Sequence, residues 1–356
     1  MDCRTLTGGL FDLTDYRFGT PQQAGLLTVI PITGRQSWNV FVPPLESRRV
    51  GGRPATSSFV LQNDSESDCL LAPLHFGQPL NRNRSHILSR VALVTPAGPL
   101  DLAGEIAFPP QSSRRTRFDL TRNFILPLAL RGPAWRVRHS SDTSRLTLEL
   151  SDLQSQLSRH GLGTLSAAVQ ARNVALNTFS SRIELLTGQT GALFFVEDRP
   201  VGLEIAPSPA YFAAIWQPLL VGCYGLTALL RQQELPYAAP SPEPYSVSRL
   251  SELRTEMFRV RHQHQEKLEA AVTGFPEEAF TVEENQHWQN FRVRSLTGKA
   301  FAGQIIEEVT AAEEEVGGMK AMPRMLGNLF RKCSVPTSDT TRRRVLYVSF
   351  FALSVY

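Results

Sequence analysis

An uncharged apolar segment, residues 211–230, constrains the fold more than any other feature of this sequence. Its length would be enough to cross a bilayer. However, a proline and two glycines interrupt it, and Gln217 lies well inside it. Ser208 and Pro209 precede the segment and are typical of a helix start, with a serine N-cap and a proline in the first turn. We therefore predict a helix buried in a globular fold, and no membrane partner.

The first half of the chain consists of short apolar or β-branched runs. Gly, Pro, Asn, Asp and Ser separate the runs, a pattern typical of strands joined by turns. We predict strands over residues 25–32, 37–43, 58–62, 69–72, 87–95, 100–108, 124–130, 134–138 and 144–150. Many short strands with frequent turns favour a sandwich-like sheet.

The second half mixes strands with helices. Two apolar runs, residues 191–197 and 201–205, flank a turn signal and predict a hairpin. Further strands are predicted over residues 291–293, 300–306 and 345–350. Residues 235–245 contain four prolines and predict a stiff connector, either a domain boundary or a surface loop. Residues 247–272 predict a long amphipathic helix.

Composition and missing motifs exclude several functional classes. The chain is 42% hydrophobic and 20% charged, which is globular rather than disordered composition. Its four cysteines are widely spaced, which argues against a disulfide framework and against zinc. The phosphate-binding, dinucleotide-binding, nucleophile-elbow and zinc-helix motifs are missing, so we predict no metal and can name no cofactor. Residues 1–17 lack a secretory signal, and we expect a cytoplasmic location.

A polar cluster over residues 74–90 is the best candidate site. It contains His75, Asn81, Arg82, Asn83, Arg84, His86 and Arg90. Arg82 and Arg84 would share one face of an extended segment, where their guanidinium groups could hold a phosphate or carboxylate. His75 or His86 could act as a general acid or base, because an unperturbed imidazole titrates near neutral pH. An ordinary polar loop before a strand is the alternative interpretation.

Other arginines are scattered along the chain, at residues 114–117, 136–138 and 342–344. They could form a nucleic-acid surface if the fold brought them together. Aromatic residues do not alternate with them, and the formal net charge is only +4. The sequence therefore argues against a nucleic-acid partner.

Several passages together resemble one protein family. They are residues 26–32, 59–63 and 70–73, Asn83-Arg84 with residues 87–98, Leu130-Arg131-Gly132 with Trp135, and residues 188–230, 291–306 and 345–350. They are similar to the strands, the asparagine–arginine motif, the Gly-Arg-Trp stretch and the hairpin and helix of the ARG and rhodanese-phosphatase-superfamily-associated family. ARG stands for ADP-ribosyl-glycohydrolase. The resemblance spans residues 25–352 and departs at Leu74-His75-Phe76, where the family usually has acidic residues.

The resemblance implies one α+β domain over residues 20–356, a β-rich sandwich-like sheet with packed helices, with residues 313–343 as an insertion. It also implies association with ADP-ribose or NAD-linked systems, often in prokaryotic conflict. Together with the polar cluster, it predicts an accessory or binding module for a nucleotide-like or ADP-ribose-type anion. The predicted ligand donors are Arg82, Asn83, Arg84, Arg131 and His86, with Glu204 and Trp216 as second choices that are expected to be structural.

Two alternative functions stay open from the sequence. The first is a hydrolase that acts on ADP-ribose or a related nucleotide and uses His75 or His86. The second is a structural partner protein that binds through the helix over residues 247–272 and has no small-molecule ligand.

Overall fold

The computed structural model describes residues 16–34, 36–37, 40–44, 59–81, 84–88, 90–102, 106–108, 124–138, 148, 152, 173–234, 281–283, 291–298, 300–311 and 341–354. The strands are β1 (Arg17–Phe18), β2 (Gln22–Ala24), β3 (Leu27–Thr33), β4 (Phe41–Val42), β5 (Phe59–Gln62), β6 (Cys69–Ala72), β7 (Phe76–Asn81), β8 (Arg84–Ile87), β9 (Ala92–Val94), β10 (Pro99–Leu102), β11 (Ile106–Phe108), β12 (Phe124–Ile125), β13 (Gln189–Val196), β14 (Arg199–Ile205), β15 (Thr281–Glu283), β16 (Phe291–Thr297), β17 (Phe301–Ala311) and β18 (Thr341–Ala352). The helices are α1 (Leu128–Arg136), α2 (Asn173–Arg182), α3 (Pro209–Gln217) and α4 (Leu226–Glu234), and a π-helical segment, Pro218–Gly225, joins α3 to α4. Strands predominate, which confirms the α+β prediction.

A large antiparallel sheet forms the centre of the described structure. Its strand order is β1-β3-β13-β14-β18-β17-β16-β15, and β2 also pairs with β3. The two longest strands, β17 and β18, pair along their whole length. They extend beyond the predicted runs, residues 300–306 and 345–350, because charged residues continue the pairing past the apolar core. The strand β14 lies near the middle of this sheet and supplies Glu204 to the candidate site.

Smaller sheets carry the polar cluster of the first half. The strands β7 and β8 pair antiparallel with Asn81 opposite Arg84, and β11 and β12 extend this sheet on either side. A second sheet, in the order β4-β6-β9, lies close to the central sheet, since Phe41 of β4 meets Phe291 of β16 edge to face. A two-stranded pair, β5 and β10, completes the described strands. Three residues of the polar cluster, Asn81, Arg84 and His86, therefore lie on the paired strands β7 and β8.

The hairpin predicted around residue 198 is confirmed. The strands β13 and β14 pair with Val196 opposite Arg199, so Glu197 and Asp198 form the turn. Both turn residues have positive φ, 51° and 60°, as a type I′ turn requires. The turn therefore comes one residue earlier than the sequence signal indicated.

The predicted buried helix over the apolar segment is also confirmed. Ser208 caps it, since its Oγ accepts a hydrogen bond of 3.1 Å from the backbone N–H of Tyr211, and Pro209 opens the first turn. By length and composition the helix over residues 209–232 could cross a membrane, and 67% of its most apolar window is buried inside the structure. A core helix of a globular protein has the same length and composition. The expected lack of a membrane partner stays a prediction.

The strand predicted over residues 134–138 is wrong, and so is the second half of the strand predicted over residues 124–130. In their place the helix α1 begins directly after Pro127. Seven of its nine residues are buried. Its sequence therefore shows neither the helical spacing of apolar residues nor the apolar–polar alternation of a half-buried strand. Gly132 lets α1 lie directly against the backbone of Leu353 at the end of β18, because a Cβ there would come 2.5 Å from the Leu353 carbonyl oxygen.

Four sequence predictions fall wholly or mainly outside the described residues. They are the strand over residues 144–150, the proline connector over residues 235–245, the amphipathic helix over residues 247–272 and the insertion over residues 313–343. The last three residues of the predicted insertion, 341–343, are the first residues of β18. The single domain over residues 20–356 stays a prediction.

Candidate functional site

A buried ion pair joins the helix α1 to the central sheet. The Arg131 Nη1 atom lies 2.7 Å from Glu204 Oε1, and each side chain is 1% exposed. Arg131 Nε also donates a hydrogen bond of 3.3 Å to the carbonyl oxygen of Leu126. Burying two charges is costly unless they are paired and hydrogen-bonded, so this pair is the first place to look for function.

Tyr224, on the π-helical segment, completes the environment of Glu204. Its hydroxyl donates a hydrogen bond of 2.8 Å to the same oxygen, Oε1, and its ring stacks on Phe194 with the centroids 3.8 Å apart. Gly202 makes room for this ring, because any Cβ there would collide with the Tyr224 hydroxyl. π-helical turns are rare and occur often at functional sites. Within the described part of the chain, Glu204 Oε2 has no hydrogen-bond partner.

Glu204 begins a buried polar row that crosses four strands of the central sheet. Ser349 of β18 lies opposite Glu204, Gln304 of β17 lies opposite Ser349, and Ser295 of β16 lies opposite Gln304. Directly opposed residues share one face of the sheet. Gln304 donates 2.8 Å to Ser295 Oγ and accepts 2.7 Å from the backbone N–H of Val91. This row ties the central sheet to the segment before β9.

His75 lies close to Arg131, in a strained and buried position. Its φ is 60°, and its side chain is 0% exposed. The ring meets Phe351 and Trp135 edge to face, with centroids 5.0 and 6.4 Å away. Neither imidazole nitrogen has a hydrogen-bond partner among the described residues. Burial, and then the charges of Arg131 and Arg138, hold the pKa of His75 well below its ordinary value of 6.5.

This lowered pKa predicts an acid-sensitive fold. Below about pH 6.5 the unfolded chain binds a proton at His75, whereas the folded protein binds it only at a lower pH. The free energy of unfolding should therefore fall by up to about 1.4 kcal/mol per pH unit on acidification below that value, and His75 should contribute no pH dependence above it. Urea unfolding from about pH 5 to pH 8 measures this loss. Asparagine also tolerates positive φ, so His75→Asn should fold and should lose the part of the pH dependence that comes from His75. The same pH profile in both proteins would contradict the assignment.

Cys223 is a buried thiol beside the ion pair. Burial raises its pKa to about 12, the Glu204 charge adds to this, and Arg131 acts in the opposite direction. Cys223 lies within the apolar segment 211–230, where a cysteine is typical of a small buried hydrophobic residue, and the structure buries it. A thiol of this kind is chemically inert, because the thiolate is the reactive form.

We expect Cys223 to resist alkylation in the native protein. Iodoacetamide at about pH 8, near the pKa of an ordinary thiol, should modify the half-buried Cys69 before Cys223, and should modify Cys223 only after denaturation. Peptide mass spectrometry of native and unfolded samples measures both sites. Equal rates at the two cysteines in the native protein would show that Cys223 is accessible.

The predicted site residues fall into two groups. Arg84 begins β8 and His86 lies two residues further along it, opposite Gln78. Arg82 and Asn83 lie outside the described residues. His75 and Arg131 belong instead to the buried centre. The structure thus separates the hairpin residues from the two that it buries.

The sequence predicted Glu204 and Trp216 only as second choices with a structural role, and it gave no role to Tyr224. Trp216 packs against Phe194 and Phe212, which agrees with the expected structural role. The sequence does indicate that Glu204 has a buried partner. It is the only acidic residue in the apolar run 201–205, and a buried carboxylate needs a partner for its charge. The lone Arg131 within residues 128–135 is the matching signal. Tyr224 had no such signal, because an aromatic residue in an apolar helix is ordinary. No group of three or more potential metal ligands occurs among the residues that the structure describes.

One known family model matches a range of the chain that contains most of this buried centre. The model of the ARPP-1 family, the ARG and Rhodanese-Phosphatase-superfamily-associated Protein domain, matches residues 123–307. No curated protein and no solved structure matches the chain. The matched range includes Arg131, Trp135, Glu204 and Tyr224, whereas His75 precedes it. It lies within the range 25–352 over which the sequence resembles the family, and it covers more than half of the chain. The protein that buries this arginine–glutamate pair therefore belongs to the ARPP-1 family.

Proposed function

We propose that the protein is a binding module for a nucleotide-like or ADP-ribose-type anion, and that the β7–β8 hairpin recognises the ligand. Arg84 and His86 occupy alternate positions on β8, and alternate positions of a strand lie on one face of a sheet. Arginine is well suited to such a ligand, because its planar guanidinium binds phosphate and carboxylate oxygens in pairs. Arg82 and Asn83, which directly precede Arg84 in the sequence, would add further donors.

The observation that carries the proposal is how the hairpin is attached to the buried centre. Arg131 donates to the carbonyl oxygen of Leu126, and the Leu126 N–H donates 3.0 Å to the carbonyl oxygen of His75, directly before β7. The first residues of the hairpin are thus connected to the Arg131–Glu204 pair by consecutive hydrogen bonds. A binding element held in place before the ligand arrives loses less entropy on binding.

For Arg131 we propose a role other than the predicted ligand contact. Its guanidinium is 1% exposed and already paired with Glu204. An anion would have to displace a buried carboxylate to reach it, which is unfavourable. We therefore assign the ligand contact to the hairpin arginines, and assign Arg131 to the positioning of the hairpin.

The burial of His75 favours binding over hydrolysis as the proposed function. A general base must come within hydrogen-bond distance of its substrate or of a bound water, and the His75 side chain is 0% exposed. Hydrolysis would need an opening to His75 or the use of His86. Incubation with ADP-ribose or NAD, followed by chromatography, tests this alternative. Turnover that is lost in His75→Asn or in His86→Asn would establish an enzyme.

Calorimetric titration with ADP-ribose and with NAD tests the binding proposal. We expect one of them to bind, and Arg84→Ala to weaken its binding by about tenfold or more, as the loss of a charge-assisted hydrogen bond does. Arg199→Ala is the matched control, because Arg199 is an exposed arginine that opens β14 just as Arg84 opens β8. Equal affinity in both variants, or no binding of either nucleotide, would overturn the proposal.

A further inference from the structure

The β7–β8 hairpin lies between two strands that pair with each other. The strand β6 leads into the hairpin and β9 follows it, and the two strands run antiparallel with Ala72 opposite Ala92. The Leu88 N–H donates 2.8 Å to the carbonyl oxygen of Phe76, so the hairpin is also closed where it leaves these strands. We call the pair of β6 and β9 the hairpin base. Whatever fixes this base also fixes the direction of the hairpin.

A buried hydrogen bond from the helix α3 reaches the β6 side of the hairpin base. The Tyr211 hydroxyl donates 2.6 Å to the carbonyl oxygen of Leu71, and Tyr211 is 1% exposed. Leu71 lies opposite Leu93, the middle pair of the base. Burial, and then the charge of Glu204, raise the pKa of Tyr211 well above 10.0. The hydroxyl therefore keeps its proton and remains a donor at neutral pH.

A second buried hydrogen bond, from the central sheet, reaches the start of β9. Gln304 of β17 is 0% exposed, and its Oε1 accepts 2.7 Å from the backbone N–H of Val91. Its amide nitrogen donates 2.8 Å to Ser295 Oγ, which fixes the orientation of the amide. Removing one partner of a buried hydrogen bond is costly, because the group left behind keeps its desolvation penalty. Gln304 should therefore hold the start of β9 firmly against β17.

The hairpin base needs such contacts because its strands are short. The strand β6 has four residues, β9 has three, and β4, which pairs with β6, has two. A sheet this small depends on packing against other elements for its stability. Tyr211 and Gln304 supply attachments from distant parts of the chain, 140 residues from Leu71 and 213 residues from Val91.

We propose that Tyr211 and Gln304 are positioning residues that hold the β7–β8 hairpin in the orientation needed for ligand binding. The inference rests on the proposed hairpin site and adds the residues that keep this site in one arrangement. Both side chains are buried and already bonded to the hairpin base, so they act through the hairpin and do not contact the ligand. A site that adopts its binding arrangement only part of the time loses affinity in proportion.

Two variants remove these bonds with little change in side-chain shape. Tyr211→Phe deletes only the hydroxyl, and Gln304→Met keeps an unbranched side chain but offers Val91 only a weak acceptor. Ser295→Ala is the matched control, because it removes the other hydrogen bond of Gln304 and leaves Val91 its acceptor. The control therefore loses a buried hydrogen bond in the central sheet without releasing the hairpin base.

Amide hydrogen exchange of the full chain without ligand, followed by mass spectrometry, tests the positioning role. Peptides from β7 and β8 should exchange about tenfold faster in Tyr211→Phe and in Gln304→Met, as expected for the loss of a buried hydrogen bond. Peptides from β13 and β14 should keep their rates, and Ser295→Ala should leave β7 and β8 at the wild-type rate. If Gln304→Met does not fold, Tyr211→Phe decides the result alone.

Two outcomes of the exchange experiment would overturn the positioning role. The first is an unchanged rate in β7 and β8. The second is an equal acceleration in β13 and β14, because a general loss of stability opens both hairpins alike.

Calorimetric titration of the same variants with ADP-ribose measures the consequence for binding. We expect Tyr211→Phe and Gln304→Met to bind about threefold more weakly or worse, and Ser295→Ala to bind like the wild-type protein. If the wild-type protein binds neither ADP-ribose nor NAD, the proposed function fails, and the exchange rates still decide whether Tyr211 and Gln304 hold the hairpin. If the wild-type protein and both variants bind ADP-ribose equally well, the proposed function stands and the positioning role is overturned.

Discussion

Replacing Arg131 with methionine should lower the free energy of unfolding by about 3–5 kcal/mol, which is a large part of the stability of an ordinary domain. The substitution leaves the Glu204 carboxylate buried at 1% exposure, with the Tyr224 hydroxyl as its remaining described hydrogen-bond donor. The loss reflects the cost of an uncompensated buried charge rather than the net value of the pair. Urea unfolding followed by fluorescence measures it.

Two further variants determine whether the charge is the cause. The double replacement Arg131→Met with Glu204→Met removes both charges and should recover much of the loss, because apolar residues of similar volume often replace a buried ion pair without penalty. Arg182→Met, at the exposed end of α2, should change stability by no more than about 0.5 kcal/mol. If Arg131→Met lowers the free energy of unfolding no more than Arg182→Met does, the ion pair does not hold α1 to the sheet.

Trp135→Ala should also lower the free energy of unfolding by about 3–5 kcal/mol. Trp135 is 1% exposed, packs against Phe351 and His75, and hydrogen-bonds to Thr297 at 2.8 Å. Truncation leaves a cavity between α1 and the central sheet, and the neighbouring aromatic rings cannot fill it completely. The same urea measurement applies.

A graded pair of variants separates packing from hydrogen bonding in this effect. Trp135→Phe keeps an aromatic ring and loses the bond to Thr297, so its cost should be clearly smaller than that of Trp135→Ala. Leu185→Ala removes a large hydrophobic side chain that is 36% exposed and should change stability by about 0.5 kcal/mol or less. Equal losses for Trp135→Ala and Leu185→Ala would mean that α1 does not pack as described.

In the proposed function, the buried centre positions the hairpin and the hairpin contacts the ligand. The Arg131–Glu204 pair and Trp135 fix α1 on the sheet, and hydrogen bonds through Leu126 fix the residue before β7. A rigid base allows the hairpin to present its donors in one arrangement, as a binding site requires. Loss of the ion pair should therefore weaken ligand binding even where the protein still folds.

Local patterns predicted several elements of this fold correctly. The hairpin of β13 and β14 and the capped helix after Ser208 depend on turn chemistry and capping, which involve neighbouring residues. The helix α1 was mistaken for strands because seven of its nine residues are buried, which removes the periodicity. Its conformation depends on contacts with β14 and β18, which are distant in sequence.

The sequence by itself determined the strand-rich α+β class, the buried apolar helix and the resemblance to the ARPP-1 family, because each depends on composition or on short-range patterns. The tertiary structure alone decided that Arg131 pairs with Glu204, 73 residues away, and that His75 is buried close to this pair. The physical reason is that a buried charge or imidazole is defined by the groups around it, and strands far apart in the chain supply those groups.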